Sequence, residues 1–496
     1  MWRSPKPESD RCGRTTPLDI LFVLAALATA LGLRLLGLSA AAPTGDEAMH
    51  LHPMSFADAF VFDLANNPPI FRLLTQAACS WQRTMGTARL VSAIAGALTV
   101  VPLYIGVRRC AGPVPAVLAA VLLAVHPWHI RYSQTARAYA LLTLLSTTGF
   151  AFGRVADDCG RILPRVLQGI CHMAGLFTHY LAIIPIFTEG FLAARSKGRK
   201  NAALLLAGPL LATLVLGPAV WQGWQGKMAA GSTTQFVSGL PFLMETVKAL
   251  LCPGGLALVC MLAFFLAGAF RPTARAWQLQ AISILGLTLM ASLFIPVEVR
   301  YTLTAVPYSM AALAVGGHSL FLRCPGRTAR QTMVVAAILS ATAIVFPLPI
   351  YYNDAARHDE YRELARRSNG MEELLGLTSA SKEPTRVIIG FGGPEHFRAT
   401  LALHGGSYPD GARLADHQHF STVSSGPYTV TSAGTVSNAL ELASLPATPD
   451  HGVVYLLLPV EQEPHVMTNF QLVARYRKLA LWQGRTPSST VPGEPR

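Results

Sequence analysis

Through residue 350 the chain alternates long apolar runs with short polar gaps, and beyond that point the alternation stops. A helix crosses a bilayer with about 20 apolar residues, and candidate spans fall at 18–38, 90–107, 114–126, 137–153, 166–177, 181–194, 202–221, 247–270, 277–295, 302–322 and 332–350. Several early runs are short, which suits helices buried among neighbours. The pair 166–177 and 181–194 reads as two such helices, because one fused span would put the later basic gaps on the wrong side of the membrane. From Tyr351 the composition turns polar, with Gly, Pro and Ser punctuation. There 385–393 reads as a buried strand entering a glycine turn, 394–404 as a helix and 452–459 as a second strand. The expected fold class is an all-α polytopic membrane protein with about eleven transmembrane helices over 18–350. A small C-terminal α/β extracytoplasmic domain is expected over 351–496, ending in a disordered tail.

Composition narrows the choice further. Of 496 residues, 51% are hydrophobic and 14% charged, which excludes an ordinary soluble protein. The formal net charge of +13 would suit nucleic acid, but the basic residues cluster in gaps between apolar runs: Arg108/Arg109, Arg154/Arg161/Arg165, Arg195/Lys197/Arg199/Lys200, Arg271/Arg275 and Arg323/Arg327/Arg330. That placement signals topology, with these gaps and the 1–17 tail cytoplasmic, so no nucleic-acid partner is expected. The loop 43–88, the joints 128–136, 178–180, 221–246 and 296–301, and the C-terminal domain then face outward, in a multi-pass protein of the cytoplasmic (inner) membrane. Residues 18–38 followed by Ser39-Ala40-Ala41-Ala42 have the outline of a signal peptide, but the run is longer than a usual h-region and reads as an uncleaved first span. The cysteines are scattered without CxxC spacing, and none follows Cys324, so neither a disulfide framework nor a thiolate metal site is expected.

Ionisable groups at a membrane boundary are costly unless they stay wet or perform a task. Asp46 and Glu47 stand out in this respect, paired just beyond the first span. Other uses are open to them. Thr44 and Glu47 have capping-box spacing, and adjacent helical positions diverge, so both acids would not face one reacting atom. Asp46 and His50, four apart, form a potential metal pair without a third ligand; no cofactor is firmly expected, and a divalent metal is the lesser alternative. Phe56, Ala59, Phe60 and Leu64 follow helical spacing, as an interfacial helix would. The 221–246 loop, rich in Gly, Ser and Gln, is a candidate flap. The turn Gly390-Phe391-Gly392-Gly393 lacks a complete GxGxxG phosphate pattern.

Six stretches, in this order and on one predicted face, resemble the GT-C superfamily of glycosyltransferases, specifically the bacterial relatives of protein O-mannosyltransferases and lipid A aminoarabinose transferase. They are Gly45-Asp46-Glu47, Asn67-Pro68-Pro69-Ile70, Arg89-Leu90-Val91-Ser92, His126-Pro127 with Ser133-Gln134-Thr135-Ala136-Arg137-Ala138-Tyr139, Thr178-His179-Tyr180, and Arg300-Tyr301. The resemblance covers roughly residues 18–350 and leaves the C-terminal domain unmatched. Two stretches depart from the usual pattern: Asn67-Pro68-Pro69-Ile70 replaces His-Pro-Pro-Leu, and Gln134-Thr135-Ala136-Arg137 replaces Gln-Glu-Ala-Arg. The resemblance implies transfer of a sugar from a polyprenyl-phosphate donor to a glycan, lipid or protein acceptor at the outer face, without a nucleotide sugar. It also implies that Asp46 is the acid of the first external loop, acting as base or acceptor-orienting group, with Glu47 as a second acid of less uniform role.

Such a transfer needs a carboxylate to receive the acceptor's proton, a dry site, and cations on the departing phosphate. Asp46 would serve a single inverting displacement, which needs no second acid at glycosidase spacing. The cation candidates are Arg300 with Tyr301, Arg137 with Tyr139, and Arg72, because a planar guanidinium binds two phosphate oxygens and keeps its charge in a dry site. Each has a structural alternative: a snorkelling interface residue for Arg300, an ion pair with a loop carboxylate for Arg137, a headgroup contact for Arg72. His179 is either a sugar or phosphate hydrogen-bonding group or a satisfied core histidine, and Gln134 either reads a sugar hydroxyl or caps backbone. Trp128, Trp221 and Trp224 read as aromatic-belt anchors. Two rival functions are a transporter or flippase for a lipid-linked glycan, which would show repeated halves with broken spans, and a polymerase or ligase using a preassembled lipid-linked glycan.

Overall fold

The computed structural model describes residues 16–39, 47, 69–82, 84–197, 205–214, 216–218, 238–251, 255–268, 272–293, 297–324 and 326–346, and seven strands between 385 and 485. Thr44, Asp46, His50, Asn67, Pro68, the 56–64 stripe, Trp221, Trp224, most of the 221–246 loop, the 390–393 turn and the 394–404 helix lie outside the described residues. The chain forms two compact units: Met1–Leu38, Phe56–Leu74 and Arg89–Tyr352 in the first, and Ser39–Ser55, Thr75–Ala88 and Asn353–Arg496 in the second.

The helices are α1 (Pro17–Leu35), α2 (Pro69–Cys79), α3 (Met85–Leu98), α4 (Val100–Ala111), α5 (Pro113–Ala124), α6 (Pro127–Ser133), α7 (Tyr139–Cys159), α8 (Ile162–Leu176), α9 (Ile183–Lys197), α10 (Leu205–Leu214), α11 (Gly239–Leu251), α12 (Gly255–Gly268), α13 (Pro272–Ser292), α14 (Ala305–Arg323) and α15 (Arg327–Val345). Every predicted span overlaps one of these helices, with 90–107 shared between α3 and α4 and 247–270 between α11 and α12. Four are long and apolar enough to cross a membrane: α1, the continuous α3–α4 stretch Met85–Ala111, α14 and α15; α5 and α6, bent by 56°, make a fifth as a pair. The others are shorter or carry polar residues. The protein is thus a multi-pass membrane protein in which several helices rely on neighbours to bury their backbone.

Local sequence sets the helix ends. Thr16 accepts from the Asp19 N–H, and Asp19 Oδ2 accepts from the Thr16 N–H, a reciprocal capping box ahead of Pro17. Gly112, at φ +93°, makes the reversal from α4 into α5, which proline then opens. Two fixed ion-pair systems tie helices together on the predicted cytoplasmic side. Asp19 accepts from Arg108 Nε at 2.9 Å and from the Tyr104 hydroxyl at 2.5 Å, placing an acid at the start of α1 and a base at the end of α4, where each suits the helix dipole. Asp157 holds Arg154 and Arg165; Arg165 Nη1 donates to Gln168 Oε1 at 2.7 Å, and Gln168 Nε2 donates to Glu189 Oε2 at 2.6 Å. His172 Nε2 lies 3.2 Å from that same Glu189 oxygen. Gly149 and Gly153 on α7 provide the notches, since a Cβ there would come within 2.9 Å of the His172 ring and 2.6 Å of Gln168 Nε2.

At the centre of the first unit, α14 is buried along Ala305–Val315. A Cβ on Gly316 would lie 1.8 Å from the Phe264 carbonyl oxygen, so α12 and α14 cross at backbone contact, as small residues permit in membranes. Trp277 is fully buried between Phe150 and Tyr308, with ring centroids 4.6 and 5.9 Å away. By contrast only 11% of the apolar window of α15 is buried, and Val334, Val335, Ile338 and Leu339 face outward, as a lipid-facing helix requires.

The second unit contains a seven-stranded sheet of order β2-β3-β4-β1-β5-β7-β6. Central β1 (Thr385–Ile389) is parallel to both β4 (Tyr428–Ser432) and β5 (Val453–Pro459). The strands β2 (Leu414–His417), β3 (Phe420–Ser425), β6 (Phe470–Arg475) and β7 (Leu479–Arg485) pair antiparallel. The continuous apolar runs of β1 and β5 suit the middle of a sheet covered on both faces, and Tyr455–Leu458 are buried. Both expected strands are present.

Candidate functional site

Arg34, near the end of α1, is fully buried. Its Nη1 donates to the Ala30 and Ala124 carbonyls at 2.9 and 3.0 Å, Nη2 to Leu123 O at 3.3 Å, and Nε to Ser133 Oγ at 3.2 Å. Nη2 also lies 2.7 Å from His129 Nδ1; a guanidinium only donates, so this histidine carries its proton on Nε2. The cation thereby caps the carbonyl end of α5 at the bend into α6. Gln134 Nε2 does the same for α1, its two N–H groups shared among Leu33 O, Arg34 O and Leu36 O at 3.2, 3.1 and 2.7 Å. Of the two uses open to Gln134, backbone capping is the one its nitrogen performs. Arg89 Nη1 reaches Leu38 O at 2.9 Å, and Ser92 Oγ donates to Arg137 O at 2.9 Å. Nδ1 of His126 accepts from the His129 N–H, so Nε2 donates to Leu250 O at 2.9 Å. These motif residues build the frame that holds the 134–139 turn.

A second join begins at Pro69, which opens α2. The first N–H groups of a helix lack intrahelical partners, as do its last carbonyls. Ile70 N, at the start of α2, donates to Phe177 O at the end of α8 at 2.9 Å, so each helix end satisfies the other. Phe71 then packs with Ala95, Ala138 and Leu141. Arg72, one residue on, is buried at 6% exposure.

Beside that join, side chains from four chain segments meet. Trp128 and Tyr132 of α6, Tyr139 at the start of α7, His179 and Tyr180 of the α8–α9 turn, and Tyr301 form a continuous series of rings. Centroid separations are 4.9 Å for Trp128–Tyr132, 5.8 Å for Tyr132–Tyr139, 5.3 Å for Tyr139–His179, 4.5 Å for His179–Tyr180 and 6.0 Å for Tyr139–Tyr301. The guanidinium of Arg300 lies 5.8 Å from the Tyr139 centroid and forms an ion pair with Glu298. Its Nε is buried with no hydrogen-bond partner among the described residues. Arg137 stands within electrostatic reach of Arg300, Glu298, Tyr139 and Tyr301. His179 Nδ1 accepts from the Leu181 N–H at 3.1 Å, which leaves the neutral ring's proton on Nε2. Burial pushes the Tyr301 phenol up to about 12, so it is an O–H donor at neutral pH. The cluster therefore offers two guanidinium groups, an imidazole N–H and phenol donors on an aromatic floor, the chemistry that holds an anionic oxygen cluster.

Five residues singled out in the sequence, Arg137, Tyr139, His179, Arg300 and Tyr301, thus meet in one cluster. Asp46 lies outside the described residues, and Glu47 is helical and buried at 1% exposure. Tyr132, Tyr180 and Glu298 were missed. Tyr180 adjoins His179 in its motif, and Glu298 stands two residues before Arg300 on a predicted outward joint, where a carboxylate beside an arginine was the available signal. Trp128, read as a belt anchor, belongs to the ring series. Among the described residues no three His, Cys, Asp or Glu side chains come together as a metal site would need.

No family model matches the chain, and no curated protein does. Solved structures do. The chain is similar to apo ArnT from Cupriavidus metallidurans, with TM-score 0.62, 12% identity, and coverage of 94% of this chain and 98% of that one. It is similar to the same protein bound to undecaprenyl phosphate, with TM-score 0.58, 13% identity, and coverage of 97% and 100%. It is also similar to the archaeal oligosaccharyltransferase AglB from Archaeoglobus fulgidus in complex with an inhibitory peptide and a dolichol-phosphate, with TM-score 0.52, 11% identity, and coverage of 90% and 70%. The chain shares the fold of these structures.

Proposed function

We propose that the protein is a membrane-embedded glycosyltransferase. It takes a sugar from a polyprenyl-phosphate donor and passes it, with inversion, to an envelope glycan, lipid or protein on the extracytoplasmic side of the inner membrane. The observation that carries this reading is the meeting of Arg300, Arg137, Tyr301 and His179 on one aromatic floor. Those groups hold the phosphate, whose departure their positive charge favours. Aromatic faces suit the apolar side of a sugar ring. The likeness over nearly the full chain to ArnT bound to undecaprenyl phosphate supports a lipid-phosphate donor. Asp46 receives the acceptor's proton as its oxygen attacks the anomeric carbon, and Glu47 and Arg72 support that loop and the phosphate. No metal is required, because a phosphate already leaves readily and the arginines neutralise it.

A flippase would draw on the bend between α5 and α6 as a broken span. The polar groups there, Arg34, His126, His129 and Ser133, are committed to carbonyls and to one another, which favours a rigid frame over a moving one. The deciding experiment is transfer by the purified full chain in lipid vesicles, supplied with a panel of undecaprenyl-phosphate sugars and an envelope extract. Asp46→Asn inserts and accumulates normally but transfers nothing. Full activity in that variant would remove Asp46 as the base.

A further inference from the structure

Glu298 competes for the cation that the reading above gives to the donor phosphate. Its carboxylate pairs with Arg300 Nη2, and the two side chains keep 36% and 23% of their surface exposed. The pair is set by local geometry: Glu298 is the N-cap of the 3₁₀ turn Val299–Thr302, Arg300 is the second residue of that turn, and the Tyr301 N–H donates to Glu298 O at 2.9 Å. The Glu298 charge reaches Tyr132, Arg137, Tyr139, Tyr180 and Tyr301. It is therefore part of the cluster, and Arg300, the guanidinium with which it pairs, meets a ligand with a carboxylate already beside it.

The transfer reaction changes the charge of what that site holds. The acceptor O–H bond breaks, its proton passing to a carboxylate, and the acceptor oxygen bonds to the anomeric carbon. The bond from that carbon to the phosphate oxygen breaks, and its electron pair stays on the oxygen. A phosphodiester with one negative charge becomes a phosphomonoester with nearly two at neutral pH, its second pKa being about 6. Guanidinium groups alone would then grip the spent carrier more tightly than the donor, and turnover would slow.

We propose that Glu298 cancels that extra grip, so that the site accepts a singly charged polyprenyl phosphodiester and releases the doubly charged monoester. The proposal rests on the lipid-phosphate reading of the cluster. Repulsion from a fixed carboxylate grows with the second ligand charge, and desolvating that charge adds a further penalty. Other titratable groups nearby do not supply the effect. His179 makes its Nδ1 hydrogen bond to backbone. On α11, Glu245 and Lys248 pair with each other at 2.8 Å and are exposed, and the outer half of α13, residues 281–292, carries no charge.

The test is binding to the full-length protein in lipid nanodiscs, with farnesyl phosphate as the monoester and methyl farnesyl phosphate as the diester, from about pH 5 to about pH 8 around the monoester's second ionisation. Titration of any group common to both proteins enters both affinity ratios, so the comparison that decides is the wild-type ratio against the variant ratio. In the wild type that ratio stays within about threefold across the range, and in Glu298→Gln the monoester gains about tenfold on the diester as pH rises through about 6. The variant is also inhibited more strongly by undecaprenyl phosphate during turnover. A wild-type ratio that climbs about tenfold in favour of the monoester overturns the proposal whether or not the variant folds, as does a variant ratio that tracks the wild type. Failure of both ligands to bind the wild type at any pH overturns the lipid-phosphate reading with it.

Discussion

Arg34→Met keeps much of the side-chain volume and removes every donor. Among the described residues, Arg34 reaches beyond its own helix to Ser133 Oγ, Ala124 O, Leu123 O and His129 Nδ1, and its bond to Ala30 O duplicates a helical one. A side-chain hydrogen bond inside a bilayer contributes about 0.6 kcal/mol on average, so four contribute about 2.4 kcal/mol. Orphaned acceptors in a water-free interior raise the cost. Relief from burying a charge lowers it, although the partial negative charge at the end of α5 has already reduced that burden. The expected loss is about 2–3 kcal/mol, a shift of about 30- to 150-fold in the unfolding equilibrium. Reversible unfolding in bicelles, followed by steric trapping, measures it, with Arg34→Lys and Ser133→Ala as companions. The ammonium of lysine cannot span both the α5 carbonyls and Ser133, so it restores less than half of the loss. A methionine variant within about 0.5 kcal/mol of wild type would refute the assignment of Arg34 as the pin between α1 and the α5–α6 bend.

Gly316→Ala drives a methyl group into the Phe264 carbonyl, 1.8 Å from the ideal Cβ position, whereas Gly317→Ala meets the Phe264 ring at 3.6 Å. The first loses at least about 2 kcal/mol and the second almost nothing, and thermal melts that coincide would contradict the close crossing of α12 and α14. Asp19→Asn keeps the shape of the side chain but leaves Arg108 without its counter-charge, lowering stability by about 1–3 kcal/mol; a wild-type unfolding curve would count against this lock. Because burial holds the Tyr301 phenol up to about 12, it is a neutral donor on both sides of the ordinary tyrosine pKa of about 10. Tyr301→Phe therefore lowers donor affinity about five- to tenfold without changing the shape of the pH profile, and a basic limb near pH 10 that disappears in the variant would show that reasoning to be wrong.

Helix positions were legible because apolar run length acts locally. Pro17 and Pro113 open helices that the apolar runs had located, whereas the Thr16/Asp19 box went unread and Pro127 opens α6 within the stretch read as the 128–136 joint. The separation of α8 from α9 followed from charge on the flanking gaps. Length alone overstated uniformity: α10 and the Ala257–Gly268 stretch are short apolar helices, because protein neighbours, and not only lipid, cover their backbone. In the candidate site, residues with distinctive chemistry next to motifs were readable, among them Arg300, Tyr301, Tyr139 and His179. Arg34 was not, because an arginine inside an apolar run gives no sign of which carbonyls it will cap. Gln134 shows the converse limit: its chemistry suits a sugar hydroxyl and a backbone cap equally, and only the proximity of Leu33, Arg34 and Leu36 carbonyls separates the two.

The hydrogen bond from Ile70 to Phe177 has a mechanical consequence. Arg72 sits less than one turn along α2 from that bond, and His179 lies two residues beyond its carbonyl partner. No hinge can open at either helix end while the bond lasts. Any rearrangement on ligand arrival would swing the cation and the imidazole together as a single lever, so their contacts would be won or lost in step.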